Sequence, residues 1–315
     1  MAANAKPDYQ YMGPFNRTIF QTEFDSQFAK EGRYNAAAIP DMFILLGLIE
    51  RDPDVCDIRW AAYMLATTLW ETTSPGTALR QAKKKGKPLF DKYNNPVMLS
   101  VKGWFMTMHP VDEVGHGKKR DYHEAVKVAF LPDGSARVTE QDGDQFTVSA
   151  SGKISATQKG THLTHQVLIK GKKVTKTLEG GGILGTKDGG AAAALYDTDD
   201  GVDQAYFGRG YVQLTWWSNY SAAGVSIGRG LDLLRDPELV KTPEVAYALM
   251  SHGMRTGEGF ANRHKLSQYF NASKTDYAHA RSMVNGKDHR DAIAKIAIKF
   301  EAILMKAKFV APTTP

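Results

Sequence analysis

Residues 125–190 differ from the rest of the chain in their pattern of apolar and turn-forming residues, and this difference constrains the fold more than any other feature. Short alternating apolar runs are interrupted there by turn signals such as Pro132-Asp133-Gly134 and Asp142-Gly143-Asp144, which recur about every ten residues. Turns at this spacing are typical of antiparallel hairpins. The segment therefore predicts a small β-rich insert, and the glycine-rich stretch at 180–194 predicts a flexible return linker.

Helical periodicity is found on both sides of this insert. One helix begins at Pro40 and ends before Asp52, since proline favours the first turn of a helix. A second helix begins after the capping residue Asp57, and a third follows Asp288 with an apolar face that continues to Leu304. The expected fold is mainly α, interrupted by the β-rich segment.

The second helix carries one apolar stripe and ends in an acidic residue. The stripe consists of Ile58, Ala61, Ala62, Leu65 and Leu69. Glu71 follows Leu69 by two positions, about 200° around the helix, so it leaves the stripe. We therefore expect the Glu71 carboxylate at the edge of a cleft rather than in the core.

Residues 205–220 combine a glycine turn with many aromatic side chains and several amides. Gly208 and Gly210 predict a sharp backbone bend, because glycine tolerates positive φ at little steric cost. Gln213 and Asn219 follow as hydrogen-bonding groups suited to sugar hydroxyls and N-acetyl groups. Composition alone leaves two interpretations open, a carbohydrate-binding cleft and an aromatic-rich part of the core.

Three segments together resemble glycoside hydrolase family 19, the chitinases and related phage endolysins. They are residues 60–73, which end in Glu71 followed by threonine, residues 206–220, and the later Val284-Asn285-Gly286 turn. The resemblance covers roughly residues 36–124 and 195–308. It implies a lysozyme-like, two-lobed hydrolase domain, preceded by an N-terminal segment at 1–35 and interrupted by the insert at 125–194. Whether that insert binds the cell wall or is a surface insertion without a function stays open.

The resemblance also implies a catalytic set. Cleavage of a glycosidic bond with inversion needs one protonated carboxyl group and one carboxylate that activates water. Glu71 matches the general acid of the family. Glu113, on a loop that is similar to one in bacterial and phage members, is chosen as the second carboxylate, with its neighbour Asp112 as the rival. Thr215 occupies a position that the family uses to orient the nucleophilic water.

The resemblance implies a substrate-binding set, and the chain departs from the family at one position. The residues expected to contact substrate are Tyr206, Gln213, Trp216, Asn219 and Asn285. Arg209 is equally well explained as a structural ion-pair partner, because a buried arginine must be paired. Family members usually carry histidine just before the acid, where this chain has Trp70. An indole at that position can shield Glu71 and raise its pKa by desolvation.

The composition indicates which binding partners the protein favours and whether it relies on disulfides. The net charge of +6 and the pI near 9.1 suit an acidic polymer such as the bacterial wall. Basic runs such as residues 83–87 are expected to be solvent-exposed loops, and none carries the signature of a nucleic-acid module. The single cysteine, Cys56, excludes an intramolecular disulfide, on which secreted plant relatives rely, and is expected to be buried. No zinc-ligand spacing is found, so we expect no metal or cofactor, and a metal-dependent amidase is disfavoured.

The sequence begins without the apolar region of a signal peptide and contains no apolar run long enough to span a membrane. We therefore expect synthesis in the cytoplasm of an infected or producing bacterium, and action as a monomer on the cell-wall glycan after release. The favoured function is an endolysin-type glycoside hydrolase that cleaves β-1,4 bonds of peptidoglycan. A chitinase and a catalytically silent glycan-binding or virion structural protein remain the alternatives.

Overall fold

The computed structural model describes residues 9–84, 86–118, 125–141, 143–158, 164–169, 172–177 and 202–308. The chain divides into two compact units that interleave along the sequence. The first unit comprises Met1–His109, Tyr269–Arg281 and Lys287–Pro315, and the second comprises Pro110–Gln268 and Ser282–Gly286. The domain boundaries inferred from the sequence stay predictions, and the glycine-rich linker at 180–194 lies outside the described residues.

More of the described residues lie in helices than in strands, which confirms the mainly α part of the expected fold class. The lysozyme-like, two-lobed architecture stays a prediction. The described α-helices are α1 (Arg17–Phe28), α2 (Ile39–Arg51), α3 (Ile58–Glu71), α4 (Trp217–Ser226), α5 (Asp232–Arg235), α6 (Pro243–Thr256), α7 (Leu266–Tyr269), α8 (Tyr277–Ala280) and α9 (Arg290–Ala307).

The described strands form antiparallel pairs and one larger sheet. They are β1 (Ser74–Gln81), β2 (Lys83–Lys84), β3 (Lys87–Pro88), β4 (Met98–Phe105), β5 (Val111–Asp112), β6 (Ala125–Phe130), β7 (Ala136–Thr139), β8 (Gln145–Val148), β9 (Ile154–Gln158), β10 (Thr164–Ile169), β11 (Lys172–Thr177), β12 (Val202–Ala205), β13 (Arg209–Gly210), β14 (Phe270–Asn271) and β15 (Lys274–Thr275). The sheet has five strands in the order β12-β6-β7-β8-β9.

The first unit is built around α3 and α9, whose positions agree with the periodicity of the sequence. Asp57 caps α3 by accepting a hydrogen bond from the backbone N–H of Arg59 at 2.8 Å. The apolar stripe of α3 is buried, as is the face of α9 from Ile293 to Leu304. The helix α1 lies within the predicted N-terminal segment, for which the sequence predicted no helix. Its Phe24 ring packs in this core and stacks on Phe300, with 5.7 Å between ring centroids.

The second unit combines the five-stranded sheet with α4, α5 and α6 in one hydrophobic cluster. Val138 and Phe146 of the sheet are buried in the same cluster as Tyr220 and Leu234 of the helices. Trp217 also donates a hydrogen bond from Nε1 to a carboxylate oxygen of Glu140 on the turn between β7 and β8, at 2.7 Å. Because the strands and helices share this core, we expect removal of the strands to unfold the unit rather than to release a separate module.

The structure confirms the predicted turn at 132–134 but not the predicted burial of Cys56. The turn signal at 132–134 is confirmed, since Gly134 has φ +81° and the backbone of Leu131 bonds that of Ser135 between β6 and β7. The expectation that Cys56 is buried is wrong, because this residue lies exposed in the loop between α2 and α3. Among the described residues, no helix is long and apolar enough to cross a membrane.

Candidate active site

Glu71 is the last residue of α3, and the helix end is held firmly at the next residue. Thr72 returns its backbone N–H and its hydroxyl to the carbonyl of Thr68, at 3.0 and 2.7 Å. The hydroxyl of Thr107 donates to the Thr72 carbonyl at 2.9 Å, and the backbone N–H of Met108 donates to the Thr72 hydroxyl at 3.2 Å. These bonds fix the backbone from which the Glu71 side chain projects.

The Glu71 carboxylate is paired with a buried arginine. Nη1 of Arg281 donates to Oε1 of Glu71 at 2.5 Å, and Nε of Arg281 donates to the backbone carbonyl of Asp288 at 3.0 Å. The side chain of Arg281 is 1% exposed and that of Glu71 is 15% exposed. The sequence predicted the Glu71 carboxylate at the edge of a cleft; in the structure it belongs to a largely buried ion pair. No local sequence pattern connects Arg281 to Glu71, because the two residues lie 210 positions apart in the chain.

Burial raises the pKa of the Glu71 carboxyl, because an apolar environment disfavours the charged form. The positive charge of Arg281 and its hydrogen bond act in the opposite direction and lower this pKa. The negative charge of Asp288 raises it further, whereas His289 lowers it. A carboxyl group whose pKa is raised holds its proton to higher pH, which is what a general acid requires.

Trp70 is held between two cationic or titratable side chains. The guanidinium of Arg33 lies 3.7 Å from the centroid of the indole ring, in cation–π geometry. The ring of His289 packs against the same indole, with 4.8 Å between centroids. An aromatic side chain that is contacted by two others thus lies directly before Glu71 in the chain.

Glu113, which lies in the second unit, is positioned by the backbone. The strand β5 pairs with β13 in the register that sets Asp112 opposite Arg209, so that Glu113 meets Gly208. The backbone N–H of Glu113 donates to the carbonyl of Gly208 at 2.6 Å, and the N–H of Gly208 donates to Oε2 of Glu113 at 3.3 Å. The next residues form a turn in which the His116 ring stacks on Phe207 at 4.5 Å.

The close approach around Gly208 favours glycine because of limited space rather than because of backbone conformation. A Cβ atom at this position would lie 3.0 Å from Oε1 of Gln213 and 3.2 Å from Cβ of Glu113. Gln213 itself adopts φ +53° and donates from Nε2 to the carbonyls of Val111 and Gly210, both at 3.2 Å. The structure therefore brings Glu113 and Gln213 together on either side of Gly208.

Asp112, unlike Glu113, belongs to a network of ion pairs. It lies 3.4 Å from Nε of Arg209 and 2.8 Å from Nζ of Lys241. Arg209 is 4% exposed and also pairs with Glu238 at 3.1 Å. This network holds a buried guanidinium and supports the interpretation of Arg209 as a structural ion-pair partner. The two adjacent acidic residues therefore have different contacts: Asp112 belongs to the network, whereas Glu113 lies beside Gly208 and Gln213.

The remaining predicted site residues differ in exposure. Tyr206 is 2% exposed and donates its hydroxyl to the carbonyl of Leu234 at 2.6 Å, and Trp216 is 8% exposed. Burial favours packing roles for these two side chains over direct substrate contact. Thr215 and Asn219 are partly exposed, and Asn219 donates from Nδ2 to the Thr215 carbonyl at 2.8 Å.

Asn285 is exposed and belongs to the second unit. Among the described residues of that unit, the predicted site residues with partly or fully exposed side chains are Glu113, Gln213, Thr215, Asn219 and Asn285. Glu71 belongs to the first unit. The roles assigned to all of these residues from the sequence stay predictions.

Comparison with known proteins identifies part of this chain. Residues 186–282 match glycoside hydrolase family 19, described as Chitinase class I. The family resemblance is thereby confirmed, while the phage or bacterial endolysin type stays a prediction. The matched segment contains Tyr206, Gln213, Thr215, Trp216 and Asn219. Both proposed catalytic glutamates and Asn285 lie outside it.

Plant enzymes are among the similar proteins. An endochitinase from Arabidopsis thaliana is 47% identical over 74 residues, which cover 22% of this chain and 25% of the relative. An acidic endochitinase from Solanum chilense is 45% identical over 67 residues, which cover 21% of this chain and 24% of the relative. The chain thus spans about a quarter of the length of these curated relatives. No solved structure matches it closely enough to support a comparison of folds.

Proposed function

We propose, from the match of residues 186–282 to glycoside hydrolase family 19, that this protein hydrolyses β-1,4 bonds in a polymer of N-acetylated amino sugars. The observation that carries the proposal is the placement of Glu71, a largely buried carboxyl at a fixed helix end, where burial also raises its pKa. Such a group is suited to protonate the oxygen of the leaving sugar.

In the proposed reaction, Glu71 donates its proton to the glycosidic oxygen as the bond to the anomeric carbon breaks. Glu113 accepts a proton from the water that attacks this carbon from the opposite face, so the product has inverted configuration. Thr215 orients that water. Gln213, Asn219 and Asn285 supply hydrogen bonds to substrate hydroxyl and acetamido groups, because amides both donate and accept.

Peptidoglycan is the proposed substrate. The net charge of +6 favours association with a negatively charged wall, and the single cysteine sets the chain apart from disulfide-rich secreted enzymes. We propose synthesis in the cytoplasm of an infected or producing bacterium and action on the wall after release. Chitin is the second candidate, favoured because the similar plant proteins are endochitinases.

The test compares purified peptidoglycan with chitin and follows new reducing ends, together with new free amino groups as a marker of amidase activity. We expect reducing ends from peptidoglycan and none in a Glu71→Gln variant. Reducing ends from chitin alone would assign the chitinase function. Binding without cleavage of either polymer would leave a silent glycan-binding protein, and new amino groups would refute the glycosidase proposal.

Inversion is tested separately by proton NMR of the first products of a soluble oligosaccharide. The anomeric configuration should be opposite to that of the cleaved bond before mutarotation equilibrates it. Products that first appear with retained configuration would contradict the role of Glu113 as a base acting on water.

A further inference from the structure

The hairpin of residues 74–105, formed by β1 to β4 and their connections, concentrates the net charge of the protein. It contains seven of the 40 basic residues and one of the 34 acidic residues. Its formal charge is therefore +6, equal to that of the entire chain, and the remaining residues carry 33 charges of each sign. The excess positive charge of this protein resides in one structural element.

The same hairpin exposes an unusual amount of apolar surface. Eleven large hydrophobic side chains are exposed among the described residues, and six of them belong to this hairpin. They are Leu79, Phe90, Tyr93, Met98, Leu99 and Trp104. Scattered single hydrophobic residues are common on protein surfaces, but a concentration of this kind marks an interaction site.

The register of β1 and β4 assigns three of the four exposed large hydrophobic side chains on this pair to one face. Directly opposed residues share a face, and the pairs Pro75–Trp104, Leu79–Ser100 and Gln81–Met98 alternate with pairs on the other side. Trp104, Leu79 and Met98 are 55%, 64% and 45% exposed. Lys102, opposite Thr77, lies on this same face and is exposed, so the face is both apolar and cationic.

The opposite face of the β1–β4 pair also carries the exposed Leu99, but part of it is packed onto the first unit. Ala78 and Phe105 are buried there, and the guanidinium of Arg80 lies 5.3 Å from the Phe105 ring. Arg80 also donates from Nη2 to the carbonyl of Tyr34 at 2.5 Å. The hairpin is therefore fixed on one side and presents the other to solvent.

We propose that this exposed face docks onto the surface of a bilayer of anionic phospholipids. Lysines near such a surface are attracted to the phosphate headgroups, while Trp104 and the aliphatic side chains of Leu79 and Met98 insert at the boundary of the acyl chains. A soluble polyanion would use the lysines alone and would leave the aliphatic side chains in water. The combination of both features on one face favours the lipid surface.

Docking of the hairpin would attach the first unit to the lipid surface. The hairpin begins at Ser74, three residues after Glu71, and its last strand leads into Thr107 and Met108, which bond to Thr72. The proposal does not rest on the glycosidase activity, because binding to lipid is measured without any glycan.

The experiment measures sedimentation of the full chain with vesicles of phosphatidylglycerol and phosphatidylethanolamine, and with vesicles of phosphatidylcholine alone. We expect partitioning onto the anionic vesicles only, and weaker partitioning as salt screens the charges. Replacing Lys102, which lies on this face, together with Lys84 and Lys87, which are directly opposed on β2 and β3, by Gln should reduce the partition coefficient about a hundredfold, since each lysine near an anionic surface contributes about fivefold.

A second variant tests the apolar contribution. Leu79→Ser combined with Trp104→Ser keeps every charge and should reduce partitioning at least tenfold, because burial of each large side chain contributes about that much. The matched control is Ile44→Ser combined with Ile298→Ser, which removes two other exposed aliphatic side chains, 46% and 56% exposed, from α2 and α9. A charge control replaces Lys153, Lys265 and Lys295 by Gln.

Melting curves of all variants show which of them are folded, and the lysine variant tests the proposal even if the apolar variant does not fold. Loss of binding confined to the two hairpin variants supports the proposal. Equal loss in hairpin and control variants, equal binding to phosphatidylcholine, or binding to soluble polyglutamate that competes fully with the vesicles would overturn it.

Discussion

Glu71 and Glu113 are held in place by different means. Glu71 is surrounded by side chains, among which Arg281 is almost completely buried. Glu113 exchanges hydrogen bonds with the backbone of Gly208 and packs closely against that glycine. The first arrangement adjusts how strongly a carboxyl holds its proton, whereas the second adjusts where a carboxyl lies. This contrast agrees with the two roles that glycoside hydrolysis assigns to its carboxyl groups.

The largest expected effect is that of Glu71→Gln. Glutamine keeps an oxygen for the bond from Arg281 but cannot donate the proton, so kcat should fall by about 10²–10⁴-fold. Steady-state kinetics on a soluble oligosaccharide measures this loss, at a temperature below the melting transition of the variant.

Glu50→Gln is the matched control for this prediction. Glu50 is 14% exposed and pairs with Arg17 at 2.5 Å, so its environment resembles that of Glu71 in burial and partner. The control should lose stability at most and keep its kcat. Similar losses of activity in both variants would show that Glu71 acts only through the structure.

The next effect separates Glu113 from Asp112. Glu113→Gln should reduce kcat by about 10²-fold or more, since it removes the base that activates water. Asp112→Asn should leave kcat within a fewfold of the wild type but lower stability by about 1–2 kcal/mol, because Arg209 and Lys241 lose a charged partner. Activity assays and urea unfolding provide the two measurements.

Glu238→Gln serves as the control for Asp112, because Glu238 contacts the same Arg209 and Lys241. Its effect on unfolding should resemble that of Asp112→Asn, though smaller, because Glu238 is 56% exposed. If Asp112→Asn abolishes activity in a protein of normal stability while Glu113→Gln remains active, the catalytic role passes to Asp112.

A smaller effect is expected from Gly208→Ala. The added Cβ would displace Glu113 or Gln213 by a few tenths of an ångström, and we expect kcat/KM to fall about tenfold, because misplacement of a catalytic group is costly. Gly32→Ala is the control, since no atom lies within 4 Å of a Cβ built there. An unchanged kcat/KM in Gly208→Ala would mean that the exact position of Glu113 is unimportant.

The smallest effect concerns pH. The negative charge of Asp288 raises the pKa of Glu71, so Asp288→Asn should lower that pKa. The general acid would then lose its proton at lower pH, and the alkaline limb of the kcat/KM profile should move to lower pH. Asp291→Asn removes a charge three positions further along the chain that is 78% exposed and therefore screened by solvent, so it should leave the limb in place. Movement in the opposite direction would exclude Glu71 as the group that sets this limb.

Local sequence patterns were sufficient for several elements of this fold. The helices α2, α3 and α9 follow from apolar periodicity together with Pro40 and Asp57, and the turn at Gly134 follows from residues next to one another in the chain. The position of Glu71 at the end of α3 is local in the same sense. Caps, turns and periodicity depend on neighbours within a few residues, which is why the sequence reveals them.

Burial and pairing, in contrast, depended on the tertiary structure. Residues 205–220 were compatible with a cleft or a core, and only the packing of the second unit buries Tyr206 and Trp216. Cys56 is exposed although free cysteine is often buried, so its residue type alone did not predict its environment.

By itself, the sequence determined the family resemblance, the main helices and the choice of Glu71 as a candidate acid. Only the tertiary structure decided that Arg281 pairs with Glu71, that Asp112 belongs to the Arg209 network, and that Gly208 confines Glu113. Each of these contacts joins residues that are distant in the chain. The energy of such contacts depends on geometry and desolvation, which no short stretch of sequence encodes.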